Sequence, residues 1–201
     1  MSMKEKWNIP SKKAIKQYYD RFFVPENICR HMQAVADFAF ELSSKIKEAG
    51  NSVRIDAVVS AALLHDCLRI CDIRNFIPEK IKADYNKNEL EVWEELRKKY
   101  GEIGHEKAMA EILRYDGFEE IGDLIEKHNF FRIDELNSLE EKVLYYSDKR
   151  VEFDQVVSLN VRFEEGRKRN FAAEGDDLEK VLATENKVYK LEEDLFKLAG
   201  I

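Results

Sequence analysis

Glycine and proline are scarce in this 201-residue chain, 8 and 3 residues respectively, which excludes a collagen-like fold and argues against a turn-rich β-sandwich or a disordered polymer. Cysteine is nearly missing as well. Cys29, Cys67 and Cys71 are an odd number with no disulfide framework in their spacing, so a reducing compartment is expected. Cys67 and Cys71 stand four residues apart, but buried packing is the better reading than metal ligation. No apolar run approaches the roughly 18 residues that cross a bilayer. The opening Met-Ser-Met-Lys-Glu-Lys also lacks the apolar segment of a signal peptide, so the expected location is cytoplasmic, away from membranes. A surplus of basic residues is absent too: 33 Lys and Arg against 40 Asp and Glu leave a net charge of -7. That balance argues against gripping duplex nucleic acid through a basic face, whereas a small anion stays admissible where a metal supplies positive charge locally.

What the chain does have is apolar and charged residues in helical order, at 44% and 36% of the total. Its length suits one domain with a real core, and no repeat or linker divides it, so a single all-α domain over 1–201 is expected. From Asn27 to Ala49 the apolar residues Ile28, Met32, Val35, Ala39, Leu42 and Ile46 recur at steps of four and three, the stripe of a core-facing helix. Ala49-Gly50-Asn51-Ser52 ends it with turn chemistry. Ile55 to Asp66 is apolar on nearly every side, which predicts a central buried helix carrying a His-Asp pair at its end. Shorter helices are expected between Ile70 and Glu102, with Tyr85, Trp93 and Tyr100 as packing residues. Further helices are predicted at Glu102–Tyr115, Phe118–Lys127 and Leu139–Phe153. A last one, about 176–198, should pack along the outside through Leu178, Val181, Leu182, Val188, Leu191 and Leu195. Strand-like alternation is absent.

Only four histidines occur, His31, His65, His105 and His128, each on a predicted helix or at its end. His65 is followed at once by Asp66, and burying such a pair is costly without a reason. A later helix presents Asp148 after Val143-Leu144-Tyr145-Tyr146-Ser147. Adjacent helical side chains diverge by about 100°, so His65 and Asp66 cannot chelate one ion as an i, i+4 pair does, but they can touch different sides of a cluster. Four imidazoles and two carboxylates exceed the needs of one tetrahedral zinc site and suit two ions sharing a bridging carboxylate, with transition metals favoured over magnesium.

The ordered series His31, His65-Asp66, His105, His128 and Asp148, in the contexts Arg-His-Met-Gln-Ala-Val-Ala, Leu-Leu-His-Asp-Cys-Leu-Arg, Gly-Glu-Ile-Gly-His-Glu, Ile-Glu-Lys-His-Asn and Tyr-Tyr-Ser-Asp-Lys-Arg-Val, resembles the HD superfamily of metal-dependent phosphohydrolases. The resemblance covers about 27–165 and implies an all-α helical bundle. Many members continue the pair as His-Asp-Ile-Gly-Lys, whereas this chain has Cys67, Leu68 and Arg69: the basic residue is kept and the glycine is not. By resemblance, His31, His65, Asp66 and Asp148 hold one divalent ion (Fe, Mn, Ni, Co or Zn), and Asp66, His105 and His128 hold a second, with Asp66 as the bridge.

The resemblance further implies hydrolysis of a phosphate ester or anhydride of a small molecule, chiefly a nucleotide, by attack of metal-activated hydroxide. Arg69 and Lys149, and less so Arg150, are the candidates to hold phosphate or leaving group. A homodimer is an open possibility rather than an expectation, and neither duplex nucleic acid nor membrane is an expected partner. Two other readings share the ligand set: a di-iron oxygenase, and a non-catalytic nucleotide-binding regulatory module. The aromatic set around Tyr145 and Tyr146 is read as core.

Overall fold

In a computed structural model, which describes residues 7–170 and 178–201, ten α-helices build the protein. In chain order they are α1 (Lys12–Phe22), α2 (Glu26–Glu48), α3 (Ile55–Ala62), α4 (Pro78–Ile81), α5 (Lys87–Tyr100), α6 (His105–Tyr115), α7 (Glu119–Glu126), α8 (Leu139–Lys149), α9 (Leu159–Asn170) and α10 (Leu178–Ala199). Two 3₁₀ turns, Arg69–Asp72 and Phe130–Glu135, interrupt the series. The all-α expectation holds, and no helix among the described residues is long and apolar enough to cross a membrane.

Local chemistry sets many of the boundaries. The Ser11 hydroxyl accepts from the Ala14 N–H to start α1, and capping boxes start α5 (Asn86 with Glu89) and α8 (Ser138 with Glu141). Each box satisfies orphan backbone donors at both the cap and the first turn. The α2 stripe is buried as read: Met32, Val35, Ala39 and Ile46 are fully enclosed. Met32, Val35 and Ile46 contribute about 1.5–3 kcal/mol each on leaving water.

The core has two lobes. One gathers Met32, Val35, Ala61, Leu64, Leu68, Trp93, Met109, Leu113, Ile121, Ile125 and Leu144. The other gathers Ala39, Leu42, Ile46, Val58, Val143, Tyr145, Tyr146, Val188 and Leu195. Helices α2, α3 and α8 serve both lobes, so they form the rigid spine of the molecule. Gly122 lets α7 lie close on α6, since a Cβ there would sit 2.9 Å from the Ala110 carbonyl oxygen.

Several boundaries differ from the sequence reading. The predicted helix Leu139–Phe153 ends at Lys149, and Val151–Glu152 pairs antiparallel with Gln155–Val156 (β1 and β2). Two-residue strands are too short to display alternation. Helix α9 was not signalled, because Leu159 and Phe163 are its only buried apolar residues. In α10 the stripe is right from Val188 onward, but Leu178 and Leu182 are exposed at 51% and 42%. The buried face of the helix starts at Thr184 and Glu185, and it packs on α2, α8 and the Phe130–Glu135 turn; residues 176–177 of that prediction lie outside the described residues.

Helix α3 also stops earlier than expected, at Ala62, and the chain continues through His65 and Asp66 in a tight turn. Leu64, Cys67 and Arg69 donate their N–H groups to Ala61, Leu64 and Asp66, all three residues back. In that turn His65 Nε2 and Asp66 Oδ2 come within 3.8 Å of each other, although they are neighbours in sequence.

Candidate metal centre

Five segments meet at one point. Helix α2 delivers His31, the turn after α3 delivers His65 and Asp66, the first position of α6 delivers His105, the residues after α7 deliver His128, and α8 delivers Asp148. Gly104, the N-cap of α6, has φ +85. That left-handed conformation suits glycine and turns the chain so that His105 starts the helix facing inward.

All four rings are oriented through the same nitrogen. His31 Nδ1 donates to the Phe153 carbonyl at 2.7 Å, His65 Nδ1 to Ala62 at 2.7 Å and His128 Nδ1 to Ile125 at 2.6 Å. His105 Nδ1 donates to the Asp72 carboxylate at 2.6 Å. Arg69 Nη1 comes within 3.2 Å of that last nitrogen, but an ionised Asp72 can only accept, so Nδ1 carries the proton. Each Nε2 is thereby left as a lone-pair donor.

Those lone pairs converge on two carboxylates. His31 and His65 Nε2 lie 3.1 and 3.5 Å from Asp148 Oδ1 and 3.9 and 3.8 Å from Asp66 Oδ2. His105 and His128 Nε2 lie 3.0 and 3.7 Å from the other oxygen, Asp66 Oδ1. Asp66 thus turns one oxygen to each histidine pair, the posture of a bridging ligand. His65 Nε2 is fully buried without a hydrogen-bond partner, and an orphaned buried polar atom of that kind needs an explanation. A cation supplies one, and the ligand atoms of His31, His65 and Asp148, and of His65, Asp66 and His128, are close enough together to hold one.

The electrostatics agree. Burial alone would raise the carboxyls of Asp66 and Asp148. Against it, His65, His105 and His128 hold Asp66 well below its usual range, and Lys149, His31 and His65 do the same for Asp148. Burial likewise opposes a proton on His105, yet Asp66 and Asp72 push its pKa up to about 9. His128, more deeply enclosed and beside two imidazoles, goes the other way. A field that raises the proton affinity at His105 Nε2 is a field that calls for positive charge there, which a divalent ion provides. The donors are imidazole nitrogens and carboxylate oxygens with no thiolate among them, a set that fits divalent first-row transition ions. Cys67 and Cys71 are buried, and among the described residues neither joins a group of ligand atoms close enough to hold an ion.

Two residues near the centre carried no signal in the sequence. Asp72 accepts from both the Nδ1 and the backbone N–H of His105, the latter at 3.1 Å, and from Arg69 Nη1 at 2.8 Å. Glu106 groups with His105 and His128 as a possible third donor and is held by Asn129 at 2.8 Å. Acidic residues are so numerous in this chain that neither stands out.

The basic candidates part company. Arg69 borders the centre, half exposed, and among the described residues its guanidinium is engaged through Nη1 alone. The Lys149 ammonium is buried against Asp148 and donates to the His128 carbonyl at 3.0 Å. Arg150 is a correction: its guanidinium is spent on the Val157 carbonyl, the Tyr146 hydroxyl and Glu192. Those bonds tie α8 to the hairpin and α10, and Arg150 borders neither of the cavities that open on the centre.

Two adjoining cavities of about 840 and 670 Å³ open on the cluster, and both are bordered by His31, Asp66, Arg69, Arg162 and Gly166. The larger also reaches Lys149, Phe130 and Phe131. Volumes of this size take a drug-sized ligand.

A family model described as the HD domain matches residues 28–151 of the chain. No curated protein and no solved structure matches it.

Proposed function

We propose, for a chain that belongs to the HD-domain family of metal-dependent phosphohydrolases, that it hydrolyses a phosphate ester or anhydride of a small molecule, chiefly a nucleotide, at a two-metal centre. The observation that carries this reading is the convergence of four Nε2 lone pairs on the two oxygens of Asp66 and on Asp148, with His65 Nε2 buried and unpartnered. His31, His65, Asp66 and Asp148 would hold one ion, and Asp66, His105 and His128 the other. Divalent ions bound there would supply an activated water and positive charge opposite the phosphoryl oxygens.

The chain's own groups do the rest. The acceptors at the Nδ1 atoms fix the ring planes before any ion arrives, so no reorganisation is needed on binding. Arg69 stands at the mouth of the cluster with donors to spare for a phosphoryl oxygen, and Lys149 offers its remaining donor from the floor while offsetting the charge of Asp148. The adjoining cavity, with Phe130 and Phe131 on its wall, is roomy enough for the organic part of a nucleotide.

The test is phosphate release from a panel of nucleotides and other phosphorylated metabolites, by protein loaded with manganese, cobalt, nickel or zinc under anaerobic conditions. Turnover is expected with at least one metal without oxygen, which also removes the oxygenase reading. Asp66→Ala, which takes away the shared ligand, should lose at least one ion per chain and nearly all turnover. Near-normal turnover in that variant defeats the mechanism.

A further inference from the structure

Arg162, on α9, is one of the few residues that border both cavities, together with His31, Asp66 and Arg69. Its side chain is mostly enclosed, at 22% exposure. Nη1 donates to Glu152 Oε2 at 2.9 Å, and Nε is buried with no hydrogen-bond partner. A guanidinium carries five N–H donors in a planar fork, and enclosing one with donors unspent is unfavourable unless something else comes to accept them. Other arginines of the chain show the contrast. Arg150 is held by three acceptors, and Arg114 by Asp123 and Glu126.

Glu152 aims the group. It is itself buried at 8% exposure, sits on β1, and immediately precedes Phe153, whose carbonyl orients His31. One hairpin therefore sets both a ring of the cluster and the arginine that borders the adjoining space.

Resting on the phosphohydrolase reading above, we infer that Arg162 is a substrate-binding residue that grips phosphoryl oxygens together with Arg69, and that Glu152 is its positioning residue. An arginine fork matches the geometry of a phosphate with two parallel N–H groups. Held through Nη1 by Glu152, Arg162 presents that fork at a fixed angle. On a chain with a net charge of -7, such a local cationic grip adds to the charge of bound metal ions in drawing an anion in.

The probe is inorganic phosphate, titrated calorimetrically into the full-length, metal-loaded protein, alongside KM and kcat for the best substrate of the panel. Arg162→Gln should weaken phosphate binding at least tenfold and raise KM by a similar factor with metal content unchanged. Arg162→Lys keeps the charge opposite Glu152, serves as the second variant should Arg162→Gln fail to fold, and should lose affinity several-fold because the fork is gone. Glu152→Gln should raise KM more than it lowers kcat. Arg114→Gln, an equal loss of charge away from both cavities, should leave phosphate affinity unaltered. Affinity and KM within twofold of wild type in the lysine variant, and in the glutamine variant where it folds, overturn the inference alone. A wild-type protein that neither binds phosphate nor releases it from any compound overturns the inference and the reading beneath it together.

Discussion

Replacing Asp72 separates ring orientation from ligation, because it touches no proposed metal position directly. Its carboxylate accepts from His105 Nδ1 at 2.6 Å, from the His105 N–H at 3.1 Å and from Arg69 at 2.8 Å. Asp72→Asn keeps one neutral oxygen acceptor and turns an amide donor towards one of those three donors. A hydrogen bond to a charged group contributes about 1.5–3 kcal/mol and a neutral one about 0.5–1.5 kcal/mol, so the His105 contact alone weakens by about 1–1.5 kcal/mol. Asp72→Ala removes the acceptor altogether, and losing such an orienting partner typically costs about 10–100-fold in metal affinity. The expected result is thus about a tenfold weaker second site in the asparagine variant, approaching 100-fold in the alanine variant. The site of His31, His65 and Asp148 should be unchanged. Calorimetric titration of manganese into metal-free protein at fixed pH resolves the two sites, and a melting curve confirms that the variants fold. Two sites both within twofold of wild type in the alanine variant would refute the claim that Nδ1 anchoring prepares His105 to bind.

Proton competition gives a second expectation. In metal-free protein His105 titrates at about 9, so below that pH an ion must displace a proton, and affinity at the second site should rise with pH until about 9 and then level off. Binding heats measured in buffers of different ionisation enthalpy should show proton release at neutral pH; its absence would count against His105 as a ligand. Away from the centre, Glu141 accepts from the Ser138 N–H at 2.9 Å and from Lys127 Nζ at 2.7 Å. Burial opposes ionisation of this carboxyl, but Lys127 and the two backbone donors Ser138 and Asn137 hold its pKa below 4.5. Glu141→Gln should cost about 1–2 kcal/mol at neutral pH, a melting-point drop of about 2–8 °C for a chain of this size. A lowered folded pKa means that this contribution is present above pH 4.5 and fades as pH falls through the folded value. The gap between wild type and variant should close in acid, and a constant gap would place the effect elsewhere.

The sequence displayed the helical architecture and the six candidate ligands for different reasons. Helices α2 and α8 carry apolar stripes long enough for their period to be counted, and imidazoles are so few that four of them in register with two carboxylates are conspicuous. Asp72 and Glu106 were hidden by abundance, since 40 acidic residues offer no way to single out two. Nothing about an arginine on a weakly amphipathic helix reveals which wall of the bundle Arg162 joins. The hairpin after α8 escaped notice since its strands are shorter than one alternation, and Arg150 was misjudged because α10, which brings Glu192, is more than 40 positions away.

Three of the four imidazoles are steered by peptide oxygens, those of Ala62, Ile125 and Phe153, and every amino acid carries that atom. Exchanging the side chains at these places therefore leaves the steering groups where they are. An inserted or deleted residue nearby, by contrast, shifts the oxygen itself. The machinery is tolerant of spelling changes at these points and intolerant of changes in spacing. Among relatives, the residue spacing from 62 to 65, from 125 to 128 and around 153 should consequently be fixed more tightly than the letters that fill it.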